Sequence, residues 1–183
     1  MIPAFNVSGV LPPYVGDSPT VKAEMSPYQT TMTALVNRFA TSPERIEILM
    51  GLLGYREKLR SLGLRDGFQW IDGSFVEQVE LTRSRPPADV DVVTFARRPT
   101  ITDEEWVNLA QANAQLFDQA AVKGQFKCDA YFVDLGINPA LIVSDTRYWF
   151  GLFSHQRDTS LWKGMLAVPL HSDDIAAQQM LVQ

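Results

Sequence analysis

Cysteine is almost missing from this chain of 183 residues. Cys128 stands alone, so no intramolecular disulfide can form and no zinc cluster is spelled out. A nucleophilic role for it would need a neighbouring imidazole, and only His155 and His171 exist. The expected reading of Cys128 is an inert core thiol. Positive charge is also short, and the net charge is −5. That excludes an electrostatic grip on bulk nucleic acid or on an anionic membrane, while leaving room for a local site at a nucleic-acid end. No apolar run approaches the ~20 residues that span a bilayer. The N-terminal stretch from Met1 to Gly16 has neither a positive region nor a long apolar segment, so no signal peptide is expected. Internal repeats and low-complexity tracts are lacking too. The cytoplasm is the expected compartment.

What is present suits one globular domain. Hydrophobic residues make up 46% and charged residues 20%, enough to bury a core without staples. Residues 1 to 28 are rich in Pro, Gly and Ser and predict an extended arm. Residues 29 to 183 predict a single domain. A helix is expected from about Tyr28 to Phe39. A stronger one starts at Ser42, with Pro43 and Glu44 in its first turn and Gly63 as its stop. Its apolar spacing puts Ile46, Leu49, Met50 and Leu53 on one face. "GFQWIDGSF" reads as a strand running into a turn, and "QVELTRSRPPA" as a mobile loop. "DVDVVTF" and "FKCDAYFVDL" read as strands. Between them, Thr102 to Gly124 predicts one long helix stopped at Gly124. A helix over "DTRYWFGLFSHQ", a strand over "KGMLAVPL" and a closing helix over "SDDIAAQQMLVQ" complete the order. The fold class is α+β (α/β), with one small mixed sheet flanked by helices.

The acids inside the strands need an explanation. Side chains alternate along a strand, so Asp89 and Asp91 share one face with Val90 on the other. Two close carboxylates repel, and burying them unpaired is costly. A cation between them resolves the conflict, and hard oxygen donors select Mg2+ or Mn2+. A third acid would come from Asp129 or Asp134. Their odd spacing sends them to opposite faces, so only one can serve. Asp129 is preferred, because Asp134 sits beside Gly136 at a strand end. Gly73 and Ser74 supply the complementary half. A glycine lets the backbone approach a ligand closely, and the first amides of a following helix can hold a phosphate.

"DGSF" followed by "DVDVV" resembles the polymerase-beta-type nucleotidyltransferases, whose signature is a Gly-Ser turn, then two alternating acids, then a later strand acid. More narrowly, the chain is similar to a group of short nucleotidyltransferase-like proteins. The matching stretches are "FNVSGVLPP", "DGSF", Pro87 to Asp91, and "HQRDTSLWKGMLAV". The resemblance implies a minimal nucleotidyltransferase fold and a nucleoside triphosphate substrate. It implies that Gly73 and Ser74 bind the β- and γ-phosphates. Asp89 and Asp91 would hold the metal, Asp91 bridging two ions ~3.5–4 Å apart. Asp129 would be the third ligand and help activate the acceptor. Arg157 and Lys163 would contact phosphate or base. The loop between Ser74 and Asp89 is somewhat long for the pattern and carries Arg83 and Arg85.

Blander readings stand beside these. Asp72 suits a turn-forming or capping acid, Ser74 a helix N-cap, and the cluster of His155, Gln156, Arg157 and Lys163 surface salt bridging. The competing functional class is a non-catalytic nucleotide sensor or partner-binding protein of a toxin–antitoxin or phage-defence system. A phosphohydrolase or nuclease would use the same acids but does not need the Gly-Ser turn. A homo-oligomer or protein partner fits either reading.

Overall fold

The central strands turn apolar residues to both faces of the sheet, and this splits the core into two layers. The computed structural model describes residues 1–99 and 101–182. In chain order the elements are β1 (Tyr28–Gln29), α1 (Met32–Phe39), α2 (Pro43–Ser61), β2 (Gly67–Asp72), α3 (Val79–Arg83) and β3 (Val90–Ala96). They continue as α4 (Asp103–Ala112), α5 (Gln119–Phe126), β4 (Cys128–Asp134), α6 (Pro139–Phe153), β5 (Leu166–Pro169) and α7 (Asp174–Leu181). The strands form one sheet in the order β1-β5-β2-β3-β4. β2 runs antiparallel to both β3 and β5, while β3 and β4 are parallel. The molecule is thus an α+β domain with a mixed five-stranded sheet. Among the described residues no helix is long and apolar enough to cross a membrane.

One face of the sheet carries the main core. Ile71, Val90, Val92, Cys128 and Ala130 pack there against α1, α2, α5 and α7. The opposite face carries Trp70, Val93, Phe95 and Val133, which pack with Phe153 and the half-buried Trp149 and Phe150 of α6. Only Phe153 of α6 is fully buried. The first 27 residues have no strand or α-helix. Val10 and Leu11 are nevertheless fully buried, and the Tyr28 hydroxyl donates to the Pro12 carbonyl at 2.8 Å.

Several local expectations change. Tyr28 and Gln29 form a strand beside β5, and α1 starts only at Met32 with Thr31 as its cap. Ser42 caps α2 as expected, but Met50 points outward at 49% exposure. Leu49 and Leu53 are buried as expected, and the stripe also takes in Arg45, Ile48, Leu52, Tyr55, Arg56 and Leu59. Two buried arginines in the stripe displace the apolar reading. The segment expected to be a mobile loop contains α3, held by the buried Val79 and by the ion pair from Glu80 to Arg45. The single long helix over Thr102 to Gly124 is broken in two. The Asn113 side chain donates to the Leu109 carbonyl and ends α4, and Asp118 accepts from the Ala121 amide and restarts the chain as α5. Gly124 lies inside α5, which ends at Phe126 and is capped by Lys127 in a left-handed conformation. The closing helix ends at Leu181, and its expected last residue, Gln183, lies outside the described residues.

The buried Arg56 ties three elements together. Its guanidinium donates to Asp174 Oδ2 at 2.7 Å, to Gln69 Oε1 at 2.8 Å and to the Pro169 carbonyl at 2.7 Å. Removing the carboxylate strands a charge that is fully buried. Asp174→Ala is therefore expected to destabilise the fold by ~3–5 kcal/mol, measured by urea unfolding. A loss under ~1 kcal/mol would show that the pair is dispensable.

Candidate active site

Strand register brings acids from three strands into one row. Asp72 ends β2 and pairs with Asp91 of β3, which in turn pairs with Asp129 of β4. Residues in register point to the same side, so all three carboxylates share the face that α6 covers. Asp89, two residues before Asp91, belongs to that face as well. The row lies where the cover ends, at the C-terminal turn of α6. There a cleft of about 530 Å³ opens, and Asp72, Gly73, Ser74, Asp89, Asp91, Asp129, Lys123, Arg157 and Lys163 all line it. That volume is typical of a small-molecule site. Asp134 stands at the far end of β4. It pairs with Arg98 and accepts from the Gly136 amide at 2.7 Å, so it closes a turn away from the cleft.

The Gly73 turn fits tightly against this row. Gly73 has φ +83° and ψ −167°, a backbone region that only glycine adopts freely. A Cβ at this position would lie 2.9 Å from the Asp91 carboxyl. The helix expected after it is only a three-residue 3-10 turn, Ser74–Val76. Arg45 braces that turn from behind, donating to the Phe75 carbonyl at 2.6 Å and the Glu77 carbonyl at 2.7 Å.

Lys163 braces it from the cleft side. Its ammonium donates to Glu77 at 2.8 Å and to the Gly73 carbonyl at 3.3 Å, and lies 3.2 Å from Asp72. Only 3% of its side chain is exposed. Burial alone would lower its pKa, but Asp72 and Glu77 outweigh that and hold it above the ordinary lysine range. The ammonium is fully engaged by the protein itself, which makes Lys163 a brace of the turn. Arg157 is exposed at the cleft's rim. Glu77 is the hub that spacing does not reveal, since Gln156 also donates to it at 2.8 Å. Asp72, expected from the sequence to be a capping acid, proves to be a full member of the row. The signal that could have found it is the pairing register of the two strands.

The row is short of positive charge. Asp72 is buried, and its Oδ1 has no hydrogen-bond partner. Burial raises its pKa to about 7 despite Lys163, with Asp91 adding to the rise. Asp91 is pushed up to about 6 by burial and by the Asp89 and Asp129 charges. Among the described residues no three donor groups form a ready-made metal cluster. The outer acids instead meet Lys123, whose ammonium lies 2.5 Å from Asp89 Oδ2 and 3.7 Å from Asp129 Oδ2. Asp129 also accepts from Gln119, which donates in addition to the Tyr131 hydroxyl at 2.6 Å. An unpartnered buried carboxylate oxygen and two carboxyls with raised pKa mark a row whose negative charge the neighbouring ammonium groups do not fully offset.

Two outcomes follow for the metal-free protein. Gly73→Ala forces a side chain into the Asp91 carboxyl and should cost about 1–3 kcal/mol from the backbone alone; an unchanged melting temperature would contradict the tight fit. The raised carboxyl pKa values mean that the folded state holds protons that the unfolded state has released. Stability should therefore fall as pH rises from about 4 toward 7. Asp91→Asn should flatten that decline in chelator-treated buffer, followed by urea unfolding across pH.

No curated protein and no solved structure matches this chain. The sequence does match a family of unknown function, DUF6932, over residues 3–169. That stretch runs from the N-terminal segment through every acid of the row to the end of β5, and the chain belongs to this family.

Proposed function

We propose that the cleft is the active site of a divalent-cation-dependent nucleotidyltransferase. It would transfer a nucleoside monophosphate from a nucleoside triphosphate to an acceptor hydroxyl or phosphate and release pyrophosphate. The observation that carries this reading is the in-register row of acids beside a glycine turn that only a missing side chain permits. The resemblance of "DGSF" and "DVDVV" to the nucleotidyltransferase signature supports it independently.

In this reading Asp89, Asp91 and Asp129 are the oxygen donors. Asp91 is central, flanked in register by Asp129 and next in sequence on its own face to Asp89. Bound Mg2+ or Mn2+ would supply neutralisation of phosphate charge and alignment of the attacking and leaving oxygens. Gly73 and Ser74 cradle the β- and γ-phosphates, and Lys163 with Arg45 keeps that turn in place. Arg157 reaches the nucleotide from the rim. The acceptor oxygen forms a bond to the α-phosphorus as the bond to the bridging oxygen breaks. Its proton passes to a carboxylate of the row, with Asp129 best oriented because Gln119 fixes its other oxygen.

The test is label transfer from α-labelled nucleoside triphosphates with Mg2+, with and without cell extract. Asp89→Asn and Asp91→Asn should each lower transfer by at least ~100-fold while the folded signal in circular dichroism persists. Folded wild-type protein that neither binds nucleotide nor transfers label would sink the proposal. A cellular phenotype that survives both substitutions would favour a nucleotide-sensing or partner-binding role instead.

A further inference from the structure

The two cleft lysines are built differently. Lys163 is sealed, with 3% of its side chain exposed and carboxylates equally buried around it. Lys123 rises from α5 with 49% of its side chain exposed, while its partners Asp89 and Asp129 are 18% and 20% exposed. Its ammonium bridges Asp129 of β4 and Asp89, the residue just before β3. With about half of its side chain exposed, the stem has room to swing aside.

We infer that Lys123 is a displaceable counter-ion, competing with a divalent cation for Asp89 and Asp129. The inference rests on reading the cleft as a cation site. A hard dication takes carboxylate oxygens at ~2.0–2.1 Å for Mg2+. An ammonium 2.5 Å from Asp89 Oδ2 already engages that carboxylate. A dication drawn to the same carboxylate would be repelled by the ammonium, so the two compete for it. Lysine suits such a role, since its charge is a compact point on a flexible four-carbon stem, easily moved and retained nearby. Lys123 thus offsets the repulsion between Asp89 and Asp129 until the cation claims them. It also sets a threshold, so that the site fills only when cation, or cation with nucleotide, outcompetes the protein's own charge.

The experiment is Mn2+ titration of full-length protein by calorimetry without nucleotide, comparing wild type with Lys123→Gln and Lys123→Arg. Lys123→Gln should bind Mn2+ about three- to tenfold more tightly, the scale of a half-exposed ion pair. Lys123→Arg, which keeps the charge, should stay within about twofold of wild type by the same measure. Circular dichroism confirms that each variant is folded, which the exposure of the side chain favours. Equal or weaker binding by Lys123→Gln overturns the inference while leaving the cation site standing. Tightening by Lys123→Arg as much as by Lys123→Gln also overturns it, because charge would not be the cause. If neither wild type nor Lys123→Gln binds Mn2+ at millimolar concentration, the cation site itself falls and the inference with it.

Discussion

Carboxylate repulsion across three hydrogen-bonded strands is the constraint around which this molecule is organised. β2, β3 and β4 each place an aspartate at the same level of one sheet face. Backbone pairing fixes their spacing, so the acids cannot relax apart without breaking the ladder. The protein answers with two ammonium groups of opposite character. Lys163 is locked among Asp72, Glu77 and the Gly73 carbonyl, while Lys123 approaches from a solvent-facing helix. Even so, one Asp72 oxygen has no partner. Such a buried deficit marks a candidate functional site.

The rest of the fold holds that strained level rigid. α2 is the main instrument, and it works through arginines as much as through leucines. Arg45 reaches forward to fix the segment after Gly73, and Arg56 reaches across to β2, β5 and α7. Planar guanidinium groups satisfy several acceptors at once, which a lysine at either place would not do. Among the described residues α6 supplies the helical cover of the opposite sheet face, and the cleft lies beside its last turn. The acid row is therefore partly buried yet reachable.

Much of this is legible from residue types. The strands around "GFQWID", "DVDVVTF" and "KCDAYFVD" stand out through β-branched and aromatic residues, and Ser42 and Thr102 mark helix starts through capping chemistry. Parity sends Asp129 and Asp134 to opposite faces, and the place of Asp134 beside Gly136 at a strand end favours Asp129. The failures have specific causes. Apolar spacing turns Met50 inward because it cannot anticipate arginines in a core stripe. The break between α4 and α5 depends on side-chain hydrogen bonds from Asn113 and to Asp118, which compete with an otherwise continuous helical pattern. Asp72 resembles a turn residue because its neighbour across the sheet is distant in sequence.

By itself the sequence determined which residues carry charge into the strands and which face each one takes, because side-chain alternation is a local property. It also determined that a glycine precedes Ser74. Only the tertiary structure decided that Asp72 joins Asp91 and Asp129, that Lys163 is sealed beneath the turn and that Lys123 stands over the row. Those relations come from strand register and helix packing between segments up to 91 residues apart in the chain, from Asp72 to Lys163. No local pattern encodes them, since register is chosen by the collective burial of every side chain on both faces at once.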